Sequence, residues 1–198
     1  MAIAAVGCLI FASDIATQAA NAASNTRTIT LKRFYISLSP NLASAIPAAG
    51  IGVEGIPPAT LAPPQGVPPG TVSPIAFVVP TTGKVTVKGN VIQKTKLTSS
   101  GGIGFIPNSE NALPVELEQI STTIQGKTGT STARTTAYNM FSGYRNPVPT
   151  FTLSNLNVVG RQLRGSFALA APGAGSLSQA LGLPAFSPGQ AFGIFLAN

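Results

Sequence analysis

The sequence predicts an all-β domain, a sandwich or barrel of short, mostly antiparallel strands with a long Pro/Gly-rich loop and at most one short helix. Three observations predict it. Several segments alternate apolar and polar residues with a period of two, the pattern of a half-buried strand. Charged residues make up 9% of the chain, against about a quarter in an ordinary domain. Ser, Thr, Gly, Pro and Ala replace them, which suits strands with neutral polar outer faces better than surface helices. Finally, 21 Gly and 17 Pro punctuate the chain into short pieces. At 198 residues the chain fits one domain with a substantial core.

The N-terminus comes first. The run Ala2–Ala12 is uncharged and has the length of a signal-peptide apolar region, and Ala20-Asn21-Ala22 offers a small-x-small cleavage site. Residues 1–22 therefore read as a signal peptide, although the usual positive n-region is missing; the alternative is an apolar N-terminal helix. Residues 23–198 read as a single β domain. A lipoprotein anchor at Cys8 is disfavoured because the apolar run continues past it. Beyond Ala22 the chain has no cysteine and no Asn-x-Ser/Thr sequon. Those absences point to bacterial export, to the periplasm, cell surface or extracellular space. No later segment reaches the ~20 uninterrupted apolar residues of a membrane span.

The first strand is expected over Arg27–Leu38, where Ile29 and Leu31 alternate in one parity and Phe34, Ile36 and Leu38 in the other. The slip at Lys32-Arg33 predicts a bulge or bend. Residues 47–80 hold nine of the 17 prolines and read as a long surface loop, since proline removes a donor and fixes φ. Three Pro-Pro pairs there would suit a polyproline ligand, but no Lys or Arg lies between Glu54 and Lys84 to accompany them. Val85, Val87, Val91 and Leu97 share a parity opposite to Lys84, Lys88, Lys94 and Lys96, which favours one strand bent at Gly89 over a hairpin at Gly89-Asn90. Ser99–Gly102 is a turn, and Val115–Glu118 alternates again. A hairpin is expected about Gly160, between Phe151–Val159 and Leu163–Leu169. Ser176 is placed as the cap of a short helix over Leu177–Leu181, ended by Gly182 and Pro184. Ala191–Leu196 closes the chain as a strand.

Chemistry is constrained by what is missing. The chain has no His and no Trp, its one Cys is Cys8, and no Asp follows Asp14. Most hydrolytic and redox sites need a group titrating near neutrality or soft metal ligands. Neither a cofactor nor a metal is therefore expected. Glu116 and Glu118 share a strand face, the least favoured route to an enzyme, a Glu-based glycoside hydrolase. Neighbours on one strand do not reach a sugar from opposite sides. Gly126-Lys127-Thr128 lacks the upstream glycine of a phosphate loop, since Ser121 stands there, and reads as a turn.

The net charge of +7 reflects five acids against 12 bases. It permits attraction to polyanions without implying a specific nucleic-acid partner. Two binding candidates stand out. One is the lysine row Lys84, Lys88, Lys94 and Lys96, which faces repeating anions or guards an edge strand. The other is the aromatic cluster Tyr138, Phe141 and Tyr144 with Arg145, a loop-borne contact site or a core anchor. The leading expectation is an exported, non-catalytic structural or assembly component of the cell envelope, with itself as a partner. The alternative is a binding module for an anionic polymer or surface, or for a small apolar ligand inside a barrel.

Overall fold

In the computed structural model, which describes residues 25–62, 75–108, 114–135 and 147–198, β1 (Thr26–Leu38) buries Ile29 and Leu31 and then Phe34, Ile36 and Leu38. Its parity changes at a bulge between Leu31 and Arg33, where the sequence places it. The expected leader at 1–22 lies outside the described residues. The remaining strands are β2 (Ile51–Ile56), β3 (Thr60–Ala62), β4 (Ala76–Lys88), β5 (Val91–Ile92), β6 (Thr95–Ser99) and β7 (Gly102–Pro107). They continue with β8 (Val115–Gln125), β9 (Thr128–Thr135), β10 (Pro147–Val159), β11 (Gln162–Leu169) and β12 (Ala191–Ala197).

Eight of these close a ring in the order β8-β6-β4-β1-β12-β11-β10-β9 and back to β8, every neighbour antiparallel. The fold is a barrel, which decides between the two expected architectures. β7 and β2 extend from the first half of β8, while β3 and β5 pair with β4. An eight-stranded barrel leaves an interior just wide enough for side chains. Phe34, Phe151, Phe167, Phe192 and Phe195 fill it, with ring centroids 4.7 to 6.4 Å apart.

Two short helices appear where at most one was expected. α1 (Pro40–Ala48) begins at Ser39, whose hydroxyl accepts from the Leu42 amide, and buries Leu42 and Ile46 one turn apart. α2 (Ala171–Leu181) starts six residues before the expected Leu177, because Pro172 in its first turn sets the start. Ser176 is no cap; its hydroxyl donates to the Pro172 carbonyl inside the helix. Gly182 does end the helix, in the left-handed conformation. Both helices follow strands that end on the same side of the barrel.

The stretch 47–80 is only partly loop. It holds the end of α1, all of β2 and β3 and the start of β4, with residues 63–74 outside the described set. Pro80 even sits inside the central strand β4. Its missing donor falls opposite the β1 bulge, where the Lys32 and Arg33 amides donate instead to the Asn198 carbonyl at 2.6 and 3.1 Å. Gly89-Asn90 is a true hairpin turn, pairing Val87 with Ile92 and Lys88 with Val91. The single bent strand is thus wrong. An irregular link at Gln93-Lys94 reverses parity, so that Ile92 and Leu97 both face the core.

β8 carries a second device. Gln119, at φ 49°, bulges the strand so that its first half pairs with β7 and its second with β6. The left-handed conformation costs a non-glycine residue about 1–2 kcal/mol, and Gly in its place gives back about 0.5–1 kcal/mol in backbone entropy. Gln119→Gly is accordingly expected to raise stability by about 0.5–1 kcal/mol. A urea unfolding midpoint that falls instead would mean that the Gln119 side chain holds the bulge.

Candidate functional site

Three hairpins turn at one end of the barrel, at Gly89-Asn90, Gly126-Lys127 and Gly160-Arg161. Each glycine is left-handed, at φ 59°, 59° and 58°, and the residue after it is not. That is the type II′ geometry, which matches strand twist and needs Gly first. The second turn position is then free for any residue, and here it carries Asn90, Lys127 and Arg161. β1 also starts at this end, with Thr26 opposite Lys88. Arg27, Lys88, Lys127 and Arg161 consequently gather around one mouth.

The other end is different. α2 packs on β10 and β8 through Ala174 and Leu177, and Phe186 behind it stands edge-on to Phe105 at 5.5 Å. The described acids lie on that half too. Glu54 is opposite Gly104 on β7, which is opposite Glu116, and Glu118 is opposite Arg134. One end of the barrel carries the two helices and the described carboxylates; the other is cationic.

The cationic mouth is not flush. β12 pairs with β1 only from Phe34 onward and with β11 only from Leu163, so β12 does not run beside the first residues of β1 and leaves a gap there. Arg27 spans that gap, donating from Nη2 to the Val158 carbonyl at 3.2 Å. Beside it opens a cleft of about 350 Å³, floored by Val87, Ile92 and Leu156. Around the floor stand Arg27, Lys127, Asn90, Asn155 and Asn157, and among the described residues no acid lines it.

Local strain builds part of this rim. Asn155 is left-handed at φ 54°, and it bulges β10 against β11 between Ser154 and Asn157. The bulge turns the Leu156 amide toward the neighbouring hairpin, where it donates to the Lys127 carbonyl at 3.1 Å. Lys127 is thereby held at its backbone.

The four predicted lysines are all exposed but do not form a row on one strand. Lys84 and Lys88 lie on β4, and Lys96 lies on β6. Continuing the Thr81–Ser99 and Thr82–Thr98 pairing by two residues sets Lys84 opposite Lys96 on the outer wall. Lys88 is at the mouth opposite Val91, and Lys94 is in the link between β5 and β6. The edge-guard explanation fails for Lys84 and Lys88, because β4 has partners on both sides. Tyr138, Phe141, Tyr144 and Arg145 lie outside the described residues. Glu116 and Glu118 are half-buried on the outer face of β8, away from the cleft.

Sequence reasoning missed Arg27, Lys127 and the three asparagines. The available signal was the repeated Gly-Asn, Gly-Lys and Gly-Arg pattern between alternating segments. Among the described residues no cluster of His, Cys, Asp or Glu could hold a metal ion. No helix among them is long and apolar enough to cross a membrane.

No protein-family model matches the chain, and no curated protein matches it. Among solved structures it is similar to the C-terminal domain of HtaA from Corynebacterium glutamicum, at 17% identity and a TM-score of 0.49, over 85% of this chain and 98% of that one.

Proposed function

We propose that this chain is an exported, non-catalytic β-domain that holds an anionic polymer or surface at the open end of its barrel. The observation that carries the reading is the meeting of Arg27 and Lys127 in a cleft that no described acid lines, with the described acids on the other half of the barrel. Separated charge of this kind orients an anionic partner before contact and draws it to one end. Lys88 and Arg161 widen the attraction around the mouth, as a repeating polyanion requires. Export is supported by the uncharged run Ala2–Ala12 and the small residues at Ala20–Ala22. A domain that grips an anionic envelope polymer without changing it would serve the structural role that the poor catalytic inventory suggests.

Retention on an anionic matrix as a function of salt tests the reading. Replacing Arg27 and Lys127 by Gln is expected to lower the slope of log affinity against log salt by roughly two, close to one unit for each lost contact. Lys84→Gln with Lys96→Gln, on the outer wall, is expected to change it less. The reverse ranking would move the site to the wall, and a wild-type protein that is not retained at low salt would sink the proposal.

A further inference from the structure

We infer that the mouth cleft is a subsite for one polyhydroxylated unit carrying one anionic group, a carboxylate or a phosphate, such as a uronate or a glycerol phosphate. The inference rests on the polymer-binding reading above and narrows it to a unit. Size is the first ground. About 350 Å³ lies near the lower end of small-ligand pockets, which run from about 300 to 1,000 Å³. That volume accepts one sugar-sized group, with the rest of a chain leaving over the rim.

The balance of donors and acceptors is the second ground. A bare anion accepts hydrogen bonds only, so an amide oxygen in its site is left unused or faces the anion's lone pairs. Here the two cations, Arg27 and Lys127, share the cleft with three amides, Asn90, Asn155 and Asn157. Each amide brings a carbonyl acceptor as well as an NH₂ donor. Carbonyl acceptors beside a bound anion are matched by a ligand that also has hydroxyl donors. Among the described residues none of these three side chains makes a hydrogen bond within the protein, and neither does the Lys127 ammonium.

The backbone supplies the third ground. Asn155 occupies a left-handed position that Gly would fill with less strain. An asparagine there keeps the bulge and adds an amide at the rim. The apolar floor of Val87, Ile92 and Leu156 suits the C–H face of a sugar ring or a glycerol backbone. Arg27 is already oriented by Val158, so its remaining N–H groups are pre-set for a carboxylate or phosphate.

Calorimetric titration of the full chain, with amide NMR shifts as a second readout, tests the inference. The probes are glucuronic acid and sn-glycerol 3-phosphate, against glucose, acetate and inorganic phosphate at matched ionic strength. At least one acidic polyol is expected to bind about tenfold more tightly than acetate or inorganic phosphate, and which of the two wins identifies the source. Asn155→Gly, which keeps the backbone conformation, and Asn157→Ala are each expected to weaken that binding about fivefold, the worth of one hydrogen bond. Unchanged circular dichroism keeps misfolding out of the result. Equal binding of acetate, phosphate and the acidic polyols, or full binding by both asparagine variants, would overturn the subsite. Either result leaves retention of the wild-type protein on an anionic matrix standing, and only loss of that retention removes the wider reading.

Discussion

Phe167→Ala is expected to lower the unfolding free energy by about 3–5 kcal/mol, the largest effect of any single truncation in this barrel. The ring is 2% exposed. Its centroid lies 4.8 Å from Phe195, 5.3 Å from Phe151 and 6.4 Å from Phe34. These rings come from β1, β10, β11 and β12, so Phe167 joins strands that are far apart in sequence. Its removal forfeits the transfer free energy of a phenyl group and three aromatic contacts. Closed strands cannot slide together to fill the space, so the cavity remains. Phe167→Leu retains most of the volume and is expected to cost less than half as much. Urea unfolding followed by circular dichroism reads both. A loss below about 1.5 kcal/mol for the alanine variant would mean that the interior repacks and the barrel is softer than its ring contacts imply.

Gly193→Ala is expected to cost about 2–3 kcal/mol, although it adds a single methyl group. Gly193 sits on β12 opposite Leu38. A Cβ there would run into the Ser37 carbonyl oxygen, and it would lie 2.9 Å from that carbonyl carbon and 3.1 Å from the Leu38 Cα. Those atoms are backbone in a paired strand and cannot rotate away as a side chain would. Relief requires β1 and β12 to separate, which also strains the bond from the Ser39 amide to the Phe192 carbonyl at 2.8 Å. Gly175, exposed within α2 with nothing within 4 Å of its would-be Cβ, is the reference position, where alanine is expected to do no harm. Thermal unfolding of the two variants side by side checks the contrast. Equal melting temperatures would show that the β1–β12 seam has slack.

The sequence carried the strands better than it carried the site. Arg27–Leu38 was legible down to its bulge because five apolar side chains mark both parities on either side of Lys32-Arg33. The hairpin at Gly160 was legible for the same reason. The hairpin at Gly89 was not, because the parity reversal at Gln93-Lys94 restores the pattern that one continuous strand would have. α1 was hidden because its amphipathic signal is only Leu42 and Ile46, embedded in a proline-rich neighbourhood. The cleft's local signature was confined to the Gly-Asn, Gly-Lys and Gly-Arg turns, which do not say that they meet. Arg27 and Val158 are 131 residues apart, and the Leu156 amide reaches the Lys127 carbonyl through a bulge at Asn155 that no propensity announces. Only closure of the ring brings those side chains to one mouth. The lysine row could be read early because its members are close in sequence, and closeness in sequence is not evidence of a shared site.

The position of β12 has a consequence in time. The strand that completes the ring between β1 and β11 follows the other seven ring strands in sequence. A ribosome adding about 5–20 residues per second reaches it on the order of ten seconds or more after β1 has emerged. During that interval the staves can form hairpins, but the hoop cannot be fastened, and the phenylalanine interior stays open to solvent and chaperones. Under the export proposed above, such a delay keeps the chain in a threadable state until β12 is made.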